Sequence, residues 1–274
     1  MRLIKKNIIA FVDLDDTLIT SRRKSFNQKN SEKSSLICEN STFMRDTIQL
    51  PHQNKLETII RHSDCFVPVT GRTAESCLKV LNNRIFDIAF VHFGGWAILP
   101  NNLYDNDYID LAKEWNEYTT LIRLDLQSEL NKIFHHIELA IGIFNEPLRV
   151  KINTTPDGLN NELVIKYESI DSLNRLGWER FIKSIEKYCC DLYGSIEESP
   201  FSLHINGNNF TVLISKLIKN QSVKHFLNRH ATDETLILGA GDSLTDLGFM
   251  YLTDVMIIPT NSQITESLKN EYNI

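Results

Sequence analysis

No stretch of this chain approaches the roughly 18 or more apolar residues of a membrane span, so no membrane-embedded segment is expected. A basic surplus is missing as well. Lys and Arg number 29 against 35 Asp and Glu, a formal net charge of −6. Nucleic-acid binders usually carry a basic stripe, and a mildly acidic mixed-charge chain argues against that class. Cysteine is scarce and uneven. Cys38, Cys65, Cys77, Cys189 and Cys190 offer no pair at metal-site spacing, and the adjacent Cys189 and Cys190 are badly placed to bridge one another. Reduced thiols in a cytoplasmic protein are the expectation. Internal repeats are absent. The start, MRLIKKNIIAFV, imitates a signal peptide, but its apolar part is short, lacks a small-residue cleavage site and runs into aspartates. It predicts a first strand instead.

What is present suits a large core, or a core carrying a smaller insert, since 42% of the 274 residues are hydrophobic. NIIAFVD is a short, branched, continuous apolar run, the pattern of a strand buried on both faces. DCFVPVTG (64–71), FDIAFVHFGG (86–95), ETLILGAGD (234–242) and DVMIIPT (254–260) repeat it. Helical stretches lie between them. In TAESCLKVLNN, Ala74, Cys77, Leu78 and Leu81 fall on one helical face. QSVKHFLNRH and SLTDLGFMYL are further helix candidates. Strand–helix alternation of this kind implies an α/β fold with a doubly wound parallel sheet.

The alternation breaks between about Pro100 and Asn209. A long helical pattern carries Tyr108, Leu111, Ala112, Trp115, Ile122, Leu126, Ile133 and Ile137 on its apolar side. PLRVKINT and ELVIKYE read as strands around the turn TPDGLNN. A second helix carries Trp178, Phe181, Ile182, Ile185, Tyr188, Cys189 and Leu192. FSLHIN and FTVLIS follow as two more strands. The order αββαββ, with one wet face per strand, predicts an inserted α+β domain with an open-faced antiparallel sheet. The expected division is a core of residues 1–99 and 210–274 and an insert of 100–209. HFGGWAI (92–98) reads as the lead-in to the insert, with Gly94 and Gly95 as hinge points. Residues 20–50 are polar and weakly patterned, a solvated flap in which Arg22, Arg23 and Lys24 cluster.

Chemistry concentrates at the ends of the parallel strands, where open α/β sheets place their ligands. Asp13 and Asp15 share a face as the first strand ends. Thr70, Gly71 and Arg72 end the second. Asp242 and Asp246 follow the fourth, in GAGDSLTD, and Lys219 precedes the helix leading into it, with Lys216 as a competing lysine. Crowded carboxylates of this kind suit a hard cation such as Mg²⁺, which takes one or two carboxylates plus waters and substrate phosphate.

These four strings, in this order, resemble the motifs of the haloacid dehalogenase (HAD) superfamily of phosphohydrolases. Asp-x-Asp-x-Thr is matched by Asp13, Asp15 and Thr17, the strand-ending Thr by Thr70, the helix-opening Lys by Lys219, and Gly-Asp-x-x-x-Asp by Gly241, Asp242 and Asp246. Asn220 stands where the family often has Gly. The insert resembles the class IIB cap of Cof-type and sucrose-phosphatase-like members. The resemblance implies a Mg²⁺-dependent phosphoric monoester hydrolase working through an aspartyl-phosphate. Its nucleophile would be Asp13 and its acid–base Asp15. Thr70, Gly71 and Lys219 would hold the phosphoryl group, and Asp13, the backbone carbonyl of Asp15, Asp242 and Asp246 the metal. Asp16 receives no chemical role. On the insert, Arg149, Lys151, Asn153, Lys166, His204 and Asn206 would share a polar sheet face, and Arg149, Lys151, Lys166 and His204 are candidates for substrate specificity. The implied partner is a small phosphorylated metabolite such as a sugar or polyol phosphate, with or without a second anionic group. Neither a nucleic acid nor a membrane partner is expected, and the state is monomer or homodimer. The rival readings are a phosphotransferase or phosphomutase using the same aspartate, and a non-catalytic ligand-binding protein on the same fold.

Overall fold

In a computed structural model, residues 7–21, 35–38, 47–82, 84–101, 105–144, 147–167, 174–206 and 208–272 are described. Arg22, Arg23, Lys24 and the start at Met1–Lys6 lie outside these. The elements are, in chain order, β1 (Ile8–Val12), β2 (Thr20–Ser21), β3 (Ser35–Cys38), β4 (Thr47–Gln49), α1 (Pro51–Ile60), β5 (Cys65–Pro68), α2 (Ala74–Leu81), β6 (Ala89–Val91), β7 (Trp96–Ile98) and α3 (Asn106–Phe144). There follow β8 (Leu148–Thr154), β9 (Asn160–Tyr167), α4 (Arg175–Tyr193), β10 (Phe201–Asn206), β11 (Asn209–Ile214), α5 (Lys219–His230), β12 (Leu236–Ala240), α6 (Leu244–Met250), β13 (Val255–Ile257) and α7 (Gln263–Tyr272).

Contacts divide the chain into two units, Met1–Trp115 with Lys219–Ile274, and Asn116–Ile218. The first holds a parallel sheet in the order β13-β12-β1-β5. A parallel bridge from Val69 to Phe90 brings β6 alongside β5. The apolar run of β1 is explained by its central place. Ile9 and Phe11 enter one buried cluster with Val67, Phe90 and Phe226, while Ala10 and Val12 enter another with Phe66, Cys77 and Val80. Alternate residues thus serve opposite faces, and both faces need apolar side chains. In α2 the buried stripe is Cys77, Val80 and Leu81, with Leu78 turned outward. Within the weakly patterned 20–50 stretch, β2, β4 and β3 form a small antiparallel sheet.

The second unit has the expected element order. Its sheet runs β10-β11-β9-β8 and is antiparallel throughout. The register pairs Arg149 with Lys166, Lys151 with Val164 and His204 with Thr211. Thr211 in turn faces Val164, so Arg149, Lys151, Lys166 and His204 lie on one sheet face. The other face carries Val150, Ile165, Phe201, Phe210 and Val212 into a core with Phe181, Ile185 and Ile133.

The unit boundaries fall elsewhere than residues 100 and 209. Tyr108, Leu111, Ala112 and Trp115 of α3 are buried in the core of the first unit, and Ile133 and Ile137 of the same helix in that of the second. One uninterrupted helix therefore serves two cores. At the far side, β11 lies between β10 and β9, so a cut at 209/210 would take an interior strand out of its sheet. The 92–98 stretch belongs to a β6–β7 hairpin in the first unit and is not a lead-in to the second. Its turn is tied down by bonds from Gly95 N to His92 O (3.0 Å) and from Trp115 Nε1 to Gly94 O (2.9 Å).

A buried charge tests the second unit. Arg123 is fully buried, and its Nη2 donates to Asp157 Oδ2 at 2.8 Å and to Thr120 Oγ1 at 3.1 Å. Burial would raise the Asp157 carboxyl. Hydrogen bonds from Thr155, Arg123, Thr120 and the Leu159 amide outweigh it and hold the group down at about 2. A carboxyl depressed below its unfolded value stabilises the fold above that value and loses the contribution as pH falls through the folded pKa. Asp157→Asn should therefore cost about 3 kcal/mol at neutral pH, because Arg123 keeps a buried charge with one partner fewer. The penalty should shrink between about pH 4 and pH 2, as urea titrations across that range will read. An unchanged penalty at low pH would refute the assignment.

Candidate active site

Three loops at the carboxyl ends of the first unit's strands, together with the first residue of α5, build the candidate site. Asp13 follows β1, and its amide donates to Ala240 O at 2.9 Å, tying it to the end of β12. Thr70 lies beyond β5, fully buried, with its amide on Phe90 O. Asp242 and Asp246 come from the loop after β12 and the first turn of α6. Ser243 caps that helix and Asp246 Oδ2 accepts from both the Ser243 amide (2.9 Å) and its hydroxyl (2.7 Å). Gly241 is required there, because a Cβ on it would sit 2.4 Å from Asp246 Cβ.

Lys219, the first residue of α5, is only 4% exposed. Its Nζ donates to Asp13 Oδ1 at 2.7 Å and to Asp246 Oδ1 at 2.6 Å. Lys216, the competing lysine, is exposed. Burial alone would lower the Lys219 ammonium. The charges of Asp13 and Asp246 overcome it and hold the group charged, above its usual range. Burial pushes the Asp13 carboxyl well above the usual carboxylate range. Lys219 opposes that shift, and Asp246, Asp242 and Asp15 add to it.

Oxygens of Asp13, Asp242 and Asp246 lie within 4.8 Å of one another, and all three residues are buried. Asp13 and Asp246 share the Lys219 ammonium, and Asp242 adds a third buried carboxyl to the cluster. A divalent oxygen-seeking cation fits this donor set in both charge and chemistry. Burial pushes the nearby Cys77 thiol up to about 12, out of thiolate range at neutral pH.

Asp15 and Asp16 part company. Asp16 adopts a left-handed backbone (φ 63°), a conformation that Asp tolerates better than most residues. Its Oδ1 accepts from Thr20 Oγ1 at 2.9 Å and its amide donates to Ile19 O. It shapes the turn after β1. Asp15 instead meets Arg72. Arg72 Nε donates to Asp15 Oδ2 at 2.7 Å and Nη2 to Asp15 Oδ1 at 2.6 Å. Reading the sequence assigned Arg72 no role. Its place directly after Thr70-Gly71 was visible, but its partner lies 57 positions away. Gly71 has its own constraint, since a Cβ there would meet the Phe93 ring at 2.6 Å.

Asp13, Asp242, Asp246 and Lys219 thus converge, and Asp15 is close enough for its charge to raise the Asp13 carboxyl while it pairs with Arg72. Arg149, Lys151, Lys166 and His204 belong to the sheet of the second unit.

No protein-family model matches the sequence, and no curated protein matches it by sequence. Among solved structures, the chain is similar to the sucrose-phosphatase of Synechocystis sp. in complex with sucrose and phosphate. That match has 15% identity and a TM-score of 0.54, covering 98% of this chain and 88% of that one. It is also similar to the C-terminal domain of the C. albicans trehalose-6-phosphate phosphatase (14%, TM-score 0.53, 97% and 78% covered). A third likeness is to the Plasmodium falciparum IMP-nucleotidase (13%, TM-score 0.57, 96% and 67% covered). These likenesses show the fold. It is a parallel α/β core with an inserted antiparallel α+β unit. Among the described residues no helix is long and apolar enough to cross a membrane.

Proposed function

We propose that this protein is a Mg²⁺-dependent phosphatase that hydrolyses a small phosphorylated metabolite, a sugar or polyol phosphate, through an aspartyl-phosphate on Asp13. The observation that carries the reading is the buried Asp13 carboxylate, held by Lys219 within 4.8 Å of Asp242 and Asp246 oxygens.

An Asp13 oxygen attacks phosphorus as the bond to the leaving oxygen breaks, so that one hard displacement becomes two easier ones. Asp15 gives a proton to the leaving alcohol and then takes one from the water that cleaves the acyl phosphate. Thr70, the Gly71 amide and the Lys219 ammonium hold the phosphoryl oxygens and offset their charge. Mg²⁺, held by Asp13, the Asp15 carbonyl, Asp242 and Asp246, supplies further neutralisation of that charge when bound. The three similar structures are named for two sugar phosphates and a nucleotide, a range in keeping with a small organic phosphate.

The test is phosphate release from a panel of small phosphorylated metabolites, with Mg²⁺ and with a chelator. Release only with Mg²⁺ is expected. Isomerised product without free phosphate would favour a phosphomutase, and no turnover of any compound would favour a binding protein.

Arg149, Lys151, Lys166 and His204 are proposed to select the part of the substrate beyond its phosphoryl group, because they gather cationic and hydrogen-bonding groups on one sheet face. Changing Arg149 and Lys151 together to Ala should raise KM by about tenfold for a substrate with a second anionic group, the scale of one charge-assisted hydrogen bond. The value of kcat should change little. An unchanged KM would remove these residues from the specificity set.

A further inference from the structure

We propose that Arg72 is the positioning residue of Asp15, fixing the plane and rotamer of that carboxyl for proton transfer to the leaving group. The inference rests on the phosphatase reading above. Asp15 has half of its side-chain surface exposed, whereas Arg72 retains 18%. A half-exposed carboxyl would ordinarily turn among several rotamers. Here both oxygens are engaged by one planar guanidinium, at 2.7 and 2.6 Å. A two-point fork of this kind fixes orientation as well as distance.

The guanidinium is itself anchored. Arg72 Nη1 donates to Ser76 Oγ at 3.0 Å, in the first turn of α2. Its backbone is held on both sides. Arg72 N donates to Thr70 Oγ1 at 3.2 Å, and Arg72 O accepts from His92 N at 2.8 Å. Thr70 O accepts from Phe93 N at 3.0 Å. His92 and Phe93 are both left-handed (φ 53° and 57°), a backbone that costs energy for residues with a Cβ. That strained turn clips the same short segment that carries Thr70 and Arg72. The fork leaves Asp15 its chemistry. A carboxylate offers about four lone-pair sites and Arg72 uses one on each oxygen, so each oxygen keeps one with which to carry a proton.

The discriminating property is the leaving group. A poor leaving group such as an alkoxide needs a proton as its bond breaks, whereas a nitrophenolate needs far less. The value of kcat/KM covers steps up to departure of that group. With Mg²⁺ present, Arg72→Gln should lower kcat/KM for an alkyl phosphate by about 100-fold, the lower end of general-acid contributions. For p-nitrophenyl phosphate the loss should be at least tenfold smaller. Inhibition by inorganic phosphate should change by less than twofold. Asp15→Asn should show the same leaving-group dependence, and the double variant should be no worse than Asp15→Asn alone. Arg72→Lys keeps the charge without the fork and should recover little. Ser76→Ala, a milder change, should give a smaller loss with the same ordering.

Equal losses on both substrates with weaker phosphate inhibition would make Arg72 a phosphate ligand and overturn the inference. Equal losses with unchanged inhibition and a lowered melting temperature would reduce it to a structural residue and also overturn it. Wild-type protein that hydrolyses neither substrate would instead remove the phosphatase reading, and this inference with it.

Discussion

Asp13→Asn will abolish turnover while leaving a folded protein. Asn cannot form the acyl phosphate, and removal of a covalent nucleophile is expected to lower kcat by about 10⁵-fold or more. Folding should survive because the exchange is nearly isosteric and removes a charge from a buried, carboxylate-rich cluster. Lys219 keeps its bond to Asp246 Oδ1. Phosphate release would be followed together with the urea midpoint. Wild-type turnover in a well-folded Asp13→Asn variant would place the nucleophile elsewhere.

Lys219→Met should show the second large effect, and its first sign is in stability. The ammonium is shared by two buried carboxylates at 2.7 and 2.6 Å. Taking away one side of a buried ion pair typically costs about 3–5 kcal/mol, because the remaining charge is stranded. Here two carboxylates lose a common partner, so the upper part of that range is expected. Adding Mg²⁺ should narrow the gap, since a cation that binds only the folded site stabilises it by mass action. Phosphate release should fall as well, because the same ammonium holds the phosphoryl group in the proposed mechanism. A variant as stable as wild type without metal would mean that the cluster does not depend on this charge.

The convergence of Asp13, Asp242 and Asp246 was legible because these residues follow strand ends. A central parallel strand must be apolar on both faces, so IIAFV marked itself, and the aspartates behind it stood out. The second unit was legible from half-polar alternation, which the register of β8 to β11 bears out. The unit boundary was not. A helical stripe reports that a face is buried and is silent about which core buries it. Tyr108 to Trp115 and Ile133 to Ile137 therefore read as one continuous pattern. The strands β2, β3 and β4 were hidden for another reason. Their lengths of two, four and three residues are too short for alternation to register. The Arg72–Asp15 pair was hidden because pairing across 57 positions leaves no periodic trace.

The order in which the site's parts emerge from a ribosome follows from the placement of β1. Asp13 and Lys219 are 206 positions apart, and Ile8 finds its partner only at Leu236. The 116–218 unit is contiguous, so it can fold during translation while β1 still waits for β12. A nascent chain thus carries Asp13 without its compensating ammonium or its neighbouring carboxylates. The cluster of Asp13, Lys219, Asp242 and Asp246 can close only once Asp246 has been made, and premature termination anywhere before Leu236 yields a chain without its central strand pair.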